Sequence, residues 1–160
     1  MTPAELLTDA MERVRESVHA VLDGLGPDDL TRRPTPDANP IGWLVWHLTR
    51  VQDDHVADVA GTEQVWTADG FADRFDLPYD ASDHGFGHSS DQVGAFRADA
   101  ALLVDYYDAV HSRTLGYFAG LGAEDLDRVV DERWDPPVTL GVRLVSVVND
   151  DTQHVGQAAY

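Results

Sequence analysis

The chain has 160 residues, with 29 acidic side chains against 11 basic ones and a formal charge of −18, a surface that repels phosphate backbones and argues against nucleic acid as a partner. It contains no cysteine, so disulfides, thiolate metal clusters and a cysteine nucleophile are excluded, and any thiol chemistry must use a thiol brought from outside. Every basic residue is arginine, which excludes a lysine nucleophile or Schiff base.

Thr2, Pro3 and Glu5 predict a helix start, with a capping box and proline at the first helical position. Leu6, Leu7, Met11, Val14, Val18, Val21 and Leu22 recur at steps of three and four, giving one apolar stripe to about Asp23. The stretch "GLGPDD" ends it. After the proline-broken "TRRPTPDA", Asn39 as cap and Pro40 as first residue open a second helix, which turns Ile41, Leu44, Leu48, Val51 and Val59 inward and stops at Gly61. From Gly61 to about His88 no period is sustained, yet Trp66, Phe71, Phe75, Tyr79 and Phe86 predict a packed loop rather than a disordered one. A second capping box, Ser89 with Gln92, starts a third helix predicted to reach about Leu121. A further irregular connection leads to Thr139, which opens a last helix running to the end of the chain. Four such helices with long connections predict an all-α four-helix bundle forming a single domain over residues 1–160. No apolar run is long enough to cross a bilayer, so a soluble, cytoplasmic protein is expected.

The last helix carries "VVNDDTQHVGQ", in which Asp150 and His154 stand four residues apart and share one side. Two helical ligands one turn apart are a recurrent way of holding a metal, and the third must come from elsewhere. His47, mid-way along the second helix beside Leu44, Leu48 and Val51, leans toward the core and is the best candidate. Two imidazoles and a carboxylate leave positions open on zinc or another divalent ion, such as nickel, iron or manganese. Each residue also has an ordinary reading: His47 as a hydrogen-bonded core histidine, Asp150 with His154 as a surface pair. Asp151 is a rival carboxylate, since helical projection sets it nearer the apolar face of Leu144, Val148 and Val155.

Other residues are weighed beside these. Arg50, Asp54 and Arg143 fall near the same faces; an arginine there could grip a substrate carboxylate, but Arg50 is expected instead to pair with a nearby acid. Gln157 could orient a ligand one turn beyond His154, or be no more than an exposed glutamine. His84 and His88 lie among glycines and are expected to line a pocket with Phe86 rather than to ligate. His19, His55 and His111 are expected to share no chemistry, and Trp43 and Trp46 to fill core.

The stretches "IGWLVWHLTRVQDDHVADVAG" and "LVSVVNDDTQHVGQAAY" resemble the DinB-like superfamily of metal-binding four-helix bundles, and "EQVWTADGFADRFDLP" and "RWDPPVTLGVRLVSV" resemble one uncharacterised branch of it. The resemblance implies that His47 and His154 are ligands. Where many relatives have a second histidine this chain has Asp150. Relatives similar to the mycothiol-dependent maleylpyruvate isomerases use a carboxylate there, which favours Asp150 over Asp151 and implies zinc-assisted chemistry of a mycothiol-like low-molecular-weight thiol. The expected function is metal-dependent transfer, isomerisation or hydrolysis of a small molecule, with thiol or water activated at the metal. The alternative is a non-catalytic bundle that the metal staples, or a small-ligand binder. A homodimer is implied by the resemblance alone.

Overall fold

In the computed structural model, which describes residues 1–160, helix α1 spans Pro3–Leu22. Its predicted capping box is formed: Glu5 N–H donates to the Thr2 hydroxyl, and Thr2 N–H donates to the Glu5 carboxylate. Met11, Val14, Val18 and Leu22 are buried, while Leu6 is exposed. The proline-rich stretch that follows is not all coil. Pro27–Thr31 makes a short helix, α2, whose Asp29 accepts a bond from Gly26 N–H and whose Leu30 is fully buried.

Helix α3 spans Ile41–Ala60 and starts one residue later than its sequence suggests. Pro40, not Asn39, takes the cap position, and no side chain caps the helix. Gly61 ends it at φ 66° in the left-handed region, as expected for a glycine stop. Every residue from Gly42 to Arg50 is buried, so this helix has no solvent face along that stretch.

What covers α3 is the long connection after it. Within it, α4 (Val65–Ala68) and α5 (Phe71–Phe75) bury Trp66, Phe71 and Phe75 against Tyr106. Asp53, on α3, accepts from the N–H groups of Val65 and Trp66 at 2.9 and 2.8 Å, capping α4 across space.

The third predicted helix is two. Ser89 and Gln92 form their capping box, but α6 lasts only over Ser90–Gly94. The chain then leaves the helix so that Phe96 packs against Trp46, with ring centroids 5.9 Å apart. Asp99 starts α7 (Ala100–Phe118) by accepting from Leu102 N–H at 2.7 Å. A 3-10 turn at Glu124–Asp127 and a small antiparallel hairpin, β1 (Val129–Asp131) with β2 (Val138–Thr139), occupy the last connection. Thr139 caps α8 (Leu140–Ala159) as predicted.

The four long helices pack as a ring in which α3 touches α8 and α7, and α1 touches the same two, so α1 lies diagonal to α3 and α7 to α8. Arg15 and His19 meet Asp108, and Glu12 meets His111, so α1 and α7 are antiparallel. His47 meets His154 and His55 meets Arg143, so α3 and α8 are antiparallel as well. Tyr106 reaches Asp53 and Tyr117 reaches Val59, so α3 and α7 run parallel. No two successive long helices are therefore antiparallel neighbours. Each connection has to cross a diagonal or return along the bundle, which is the reason all three are long.

Candidate metal centre

The antiparallel register of α3 and α8 brings His47 against Asp150 and His154. One ligand atom from each of the three lies within 4.8 Å of the others. Two bonds of about 2.0–2.2 Å to one ion set their ends at most about 4.3 Å apart, so closing the cluster on a cation needs only a side-chain adjustment. The two rings meet edge to face with centroids 4.8 Å apart.

In both histidines Nδ1 is engaged by a hydrogen bond and Nε2 is left turned toward the cluster. His47 Nδ1–H donates to the backbone carbonyl of His84 and leaves Nε2 free. Trp43 stacks on the same ring at 4.8 Å and 12°. His154 Nδ1–H donates to Gln157 Oε1 at 3.3 Å, and its Nε2 faces Asp150 Oδ1 at 3.5 Å. Gln157 thus orients a ring of the cluster, the role its spacing suggests.

The electrostatics suit a cation. Burial pushes His47 below the ordinary imidazole value, and His154 adds to this, against the His84 carbonyl and Asp150. A neutral ring is the form that ligates. Asp150 is held below the usual carboxylate range: burial acts to raise it, but His154, and then His47 and His55, outweigh that. Bonding to Asp150 raises His154, with burial opposing. Asp150 Oδ2 is buried with no hydrogen-bond partner, an orphaned oxygen that a cation would satisfy. The donor set and the orphaned oxygen together fit a borderline divalent ion.

Asp151 is separated from this cluster. Its side chain is 0% exposed, neither oxygen has a partner, and burial followed by the charge of Asp150 pushes it well above the usual range. Consecutive helical residues diverge by about 100°. Asp150 therefore opens on the cavity while Asp151 enters the buried core toward Tyr107, whose hydroxyl is pushed up by burial and then by Asp151.

A cavity of about 280 Å³ adjoins the cluster, lined by His47, Asp54, His55, His84, Phe86 and Asp150. A larger one, about 380 Å³, lies between α3 and α7, but its only carboxylate, Asp53, is already engaged by Val65, Trp66 and Tyr106. Convergent donors belong to the smaller cavity. His84 and Phe86 line it as expected; His88, expected there too, does not, because its Nε2–H donates to Asp83 at 2.8 Å and its Nδ1 accepts from Trp43 at 3.2 Å.

Arg50 is the paired residue its sequence suggests. Fully buried, it reaches Gln64 at 2.7 Å, the Asp83 carbonyl at 3.2 Å and Asp53 at 3.7 Å, and stacks over Trp66. It ties the long connection to α3 and does not face the cavity. His55, given no role by its sequence context, lies beside the cluster. It shares the cavity wall and accepts from Arg143 at 2.8 Å.

Fold and site together define a class, the helical bundles with an internal His–Asp–His cluster that could hold a metal. The sequence matches the DinB superfamily over residues 10–158, and the chain belongs to that superfamily. Among solved structures, a conserved protein from Enterococcus faecalis is similar to it at 29% identity and a TM-score of 0.90, covering 100% of this chain and 95% of that one. No curated protein matches the sequence.

Proposed function

We propose that this protein is a divalent-metal-dependent enzyme, with His47, Asp150 and His154 as ligands and zinc as the metal, acting on a small molecule with a mycothiol-like thiol or water as nucleophile. The observation that carries this reading is a three-donor cluster, without a fourth His, Asp or Glu, two of whose members, His47 and Asp150, line a cavity. A structural zinc site is ordinarily closed by four protein ligands, whereas a catalytic one keeps a position open. When bound there, a divalent ion supplies acidity, lowering the pKa of a coordinated thiol or water toward neutrality.

The chain's own residues hold and orient. The His84 carbonyl and Gln157 fix the two ring tautomers, and Asp150 supplies the balancing charge. Trp43 and the buried α3 core keep water from the back of His47. With no cysteine in the sequence, the thiol is a second substrate. Bridging of α3 to α8 by the same cluster supports the other reading, a metal that only staples the bundle.

Elemental analysis of wild type and His47→Ala, purified without added metal, tests the ligand assignment. Wild type should carry about one divalent ion per chain and the variant almost none; equal metal content would refute it. Consumption of a thiol with an electrophilic probe separates enzyme from staple, because rates unchanged by chelation would leave the metal no catalytic part.

A further inference from the structure

His55 lies two turns beyond His47 on α3, on the wall of the same cavity. Its Nδ1 is 2.8 Å from Arg143 Nη1. A guanidinium has no lone pair to offer and keeps its charge, so Arg143 donates and Nδ1 accepts. The proton of the neutral ring must then sit on Nε2. Arg143 cannot easily turn away, since its Nη2 also donates to Asp131 Oδ2 at 3.2 Å and its side chain is only 13% exposed. Burial, and then Arg143, push His55 below the ordinary imidazole value, so the ring holds a single proton at neutral pH. The side chain is 35% exposed, and Nε2 bonds to nothing within the chain. With its proton in place, Nε2 has no lone pair for a metal, so His55 cannot be a fourth ligand while Arg143 holds it.

We propose that His55 is a fixed hydrogen-bond donor to an oxygen of the substrate, and that the cavity takes small molecules with a carbonyl or carboxylate oxygen placed between His55 Nε2 and the His47–Asp150–His154 cluster. This rests on the metal reading above. An N–H donor selects an oxygen acceptor over a thioether or an alkyl group. The carboxylates of Asp54 and Asp150 on the same wall disfavour a second negative charge, which points to a neutral carbonyl compound or a monoanion.

Two measurements test it. Long-range proton–nitrogen NMR of the metal-free protein reads the tautomer directly, and His55 should be protonated on Nε2 alone, with Arg143→Met admitting the other tautomer. Cobalt(II)-loaded protein titrated with acetate, followed in the visible spectrum, reads the donor. His55→Phe should keep wild-type cobalt content and bind acetate about ten- to a hundredfold more weakly, the effect of a lost hydrogen bond to a charged group; His55→Gln, which retains a donor, should recover part of it. Unchanged acetate affinity in His55→Phe, or an Nδ1-protonated ring in wild type, would overturn the proposal while leaving the metal reading intact. Cobalt lost from His55→Phe would overturn it by making His55 a ligand. Wild type that takes up no cobalt would overturn the metal reading and this one with it.

Discussion

Replacing Gly85 by alanine would act where the long connection bears on His47. Gly85 has φ +91°, and a Cβ there would lie 2.9 Å from Trp43 Cζ2, 3.0 Å from Trp46 Cζ3 and 3.0 Å from His47 Nδ1. The backbone conformation costs an L-residue about 1–2 kcal/mol. All three rings are buried and have little room to yield, so overpacking adds about 1–3 kcal/mol. The sum is a destabilisation of about 2–5 kcal/mol. Gly87 is the internal control, because it has φ +80° but no atom within 4 Å of the place a Cβ would take, and Gly87→Ala should cost only the backbone part, about 1–2 kcal/mol. If the strained loop retreats, the His84 carbonyl leaves His47 Nδ1 and the ring loses its orientation. Loss of such a partner lowers metal affinity by about ten- to a hundredfold. Urea unfolding of the metal-free proteins measures the first effect, and zinc competition against a chromophoric chelator the second. Gly85→Ala as stable as Gly87→Ala, with wild-type zinc affinity, would refute the claim that this loop positions the ligand.

His111 is buried beside Tyr107 and lowered by burial, with Glu12 at 3.4 Å opposing. Its folded-state value lies below the unfolded one, so the stability it contributes is present at neutral pH and is lost as pH falls below about 6.5, at up to about 1.4 kcal/mol per pH unit. His111→Phe should flatten the stability profile between pH 7 and 5, and an identical slope would count against the assignment. Asp99→Ala removes the cap of α7 and should cost about 1 kcal/mol in denaturant unfolding, against almost nothing for Asp91→Ala on the exposed face of α6. Arg50→Met leaves buried Asp53 without its cationic neighbour and should cost about 3–5 kcal/mol; a loss below about 1 kcal/mol would mean that Tyr106 and the α4 amides already suffice.

The parts of this fold that could be read from sequence are those whose cause is local. The Thr2 box and the stripe from Met11 to Leu22 fix α1, and the Thr139 cap fixes the start of α8, without reference to anything distant. The break after Gly94 was hidden because Val93, Phe96, Ala100 and Leu103 keep helical spacing across it. The chain leaves the helix there to bury Phe96 on Trp46, a contact set by tertiary packing. The cluster itself was readable from the Asp150 to His154 spacing and an inward His47. Choosing Asp150 over Asp151 rests on the family resemblance alone, because projection ranks residues by how far they face the core. Asp151 does face it most fully, and for that reason lies away from the cavity. The place of His55 on the cavity wall is not legible in its spacing, since it depends on Arg143, and that pairing exists only once α3 and α8 are set antiparallel.

The irregular segments have a further role that helix geometry makes necessary. Along a helix the backbone carbonyls already accept from amides four residues on, so the helix offers its own histidines few backbone acceptors to fix a ring tautomer. The partner has to be a side chain or a segment that is not helical. Here His47 takes the His84 carbonyl from the connection that returns along the bundle, and His154 takes Gln157. His55 takes Arg143, which is held by Asp131 from the hairpin. The stiff helices place the Cα atoms, and for His47 directly and His55 through Arg143 the connections set which nitrogen carries the proton. A bundle of antiparallel neighbours with short loops could reproduce the first of these and would have no His84 carbonyl or Asp131 to supply the second.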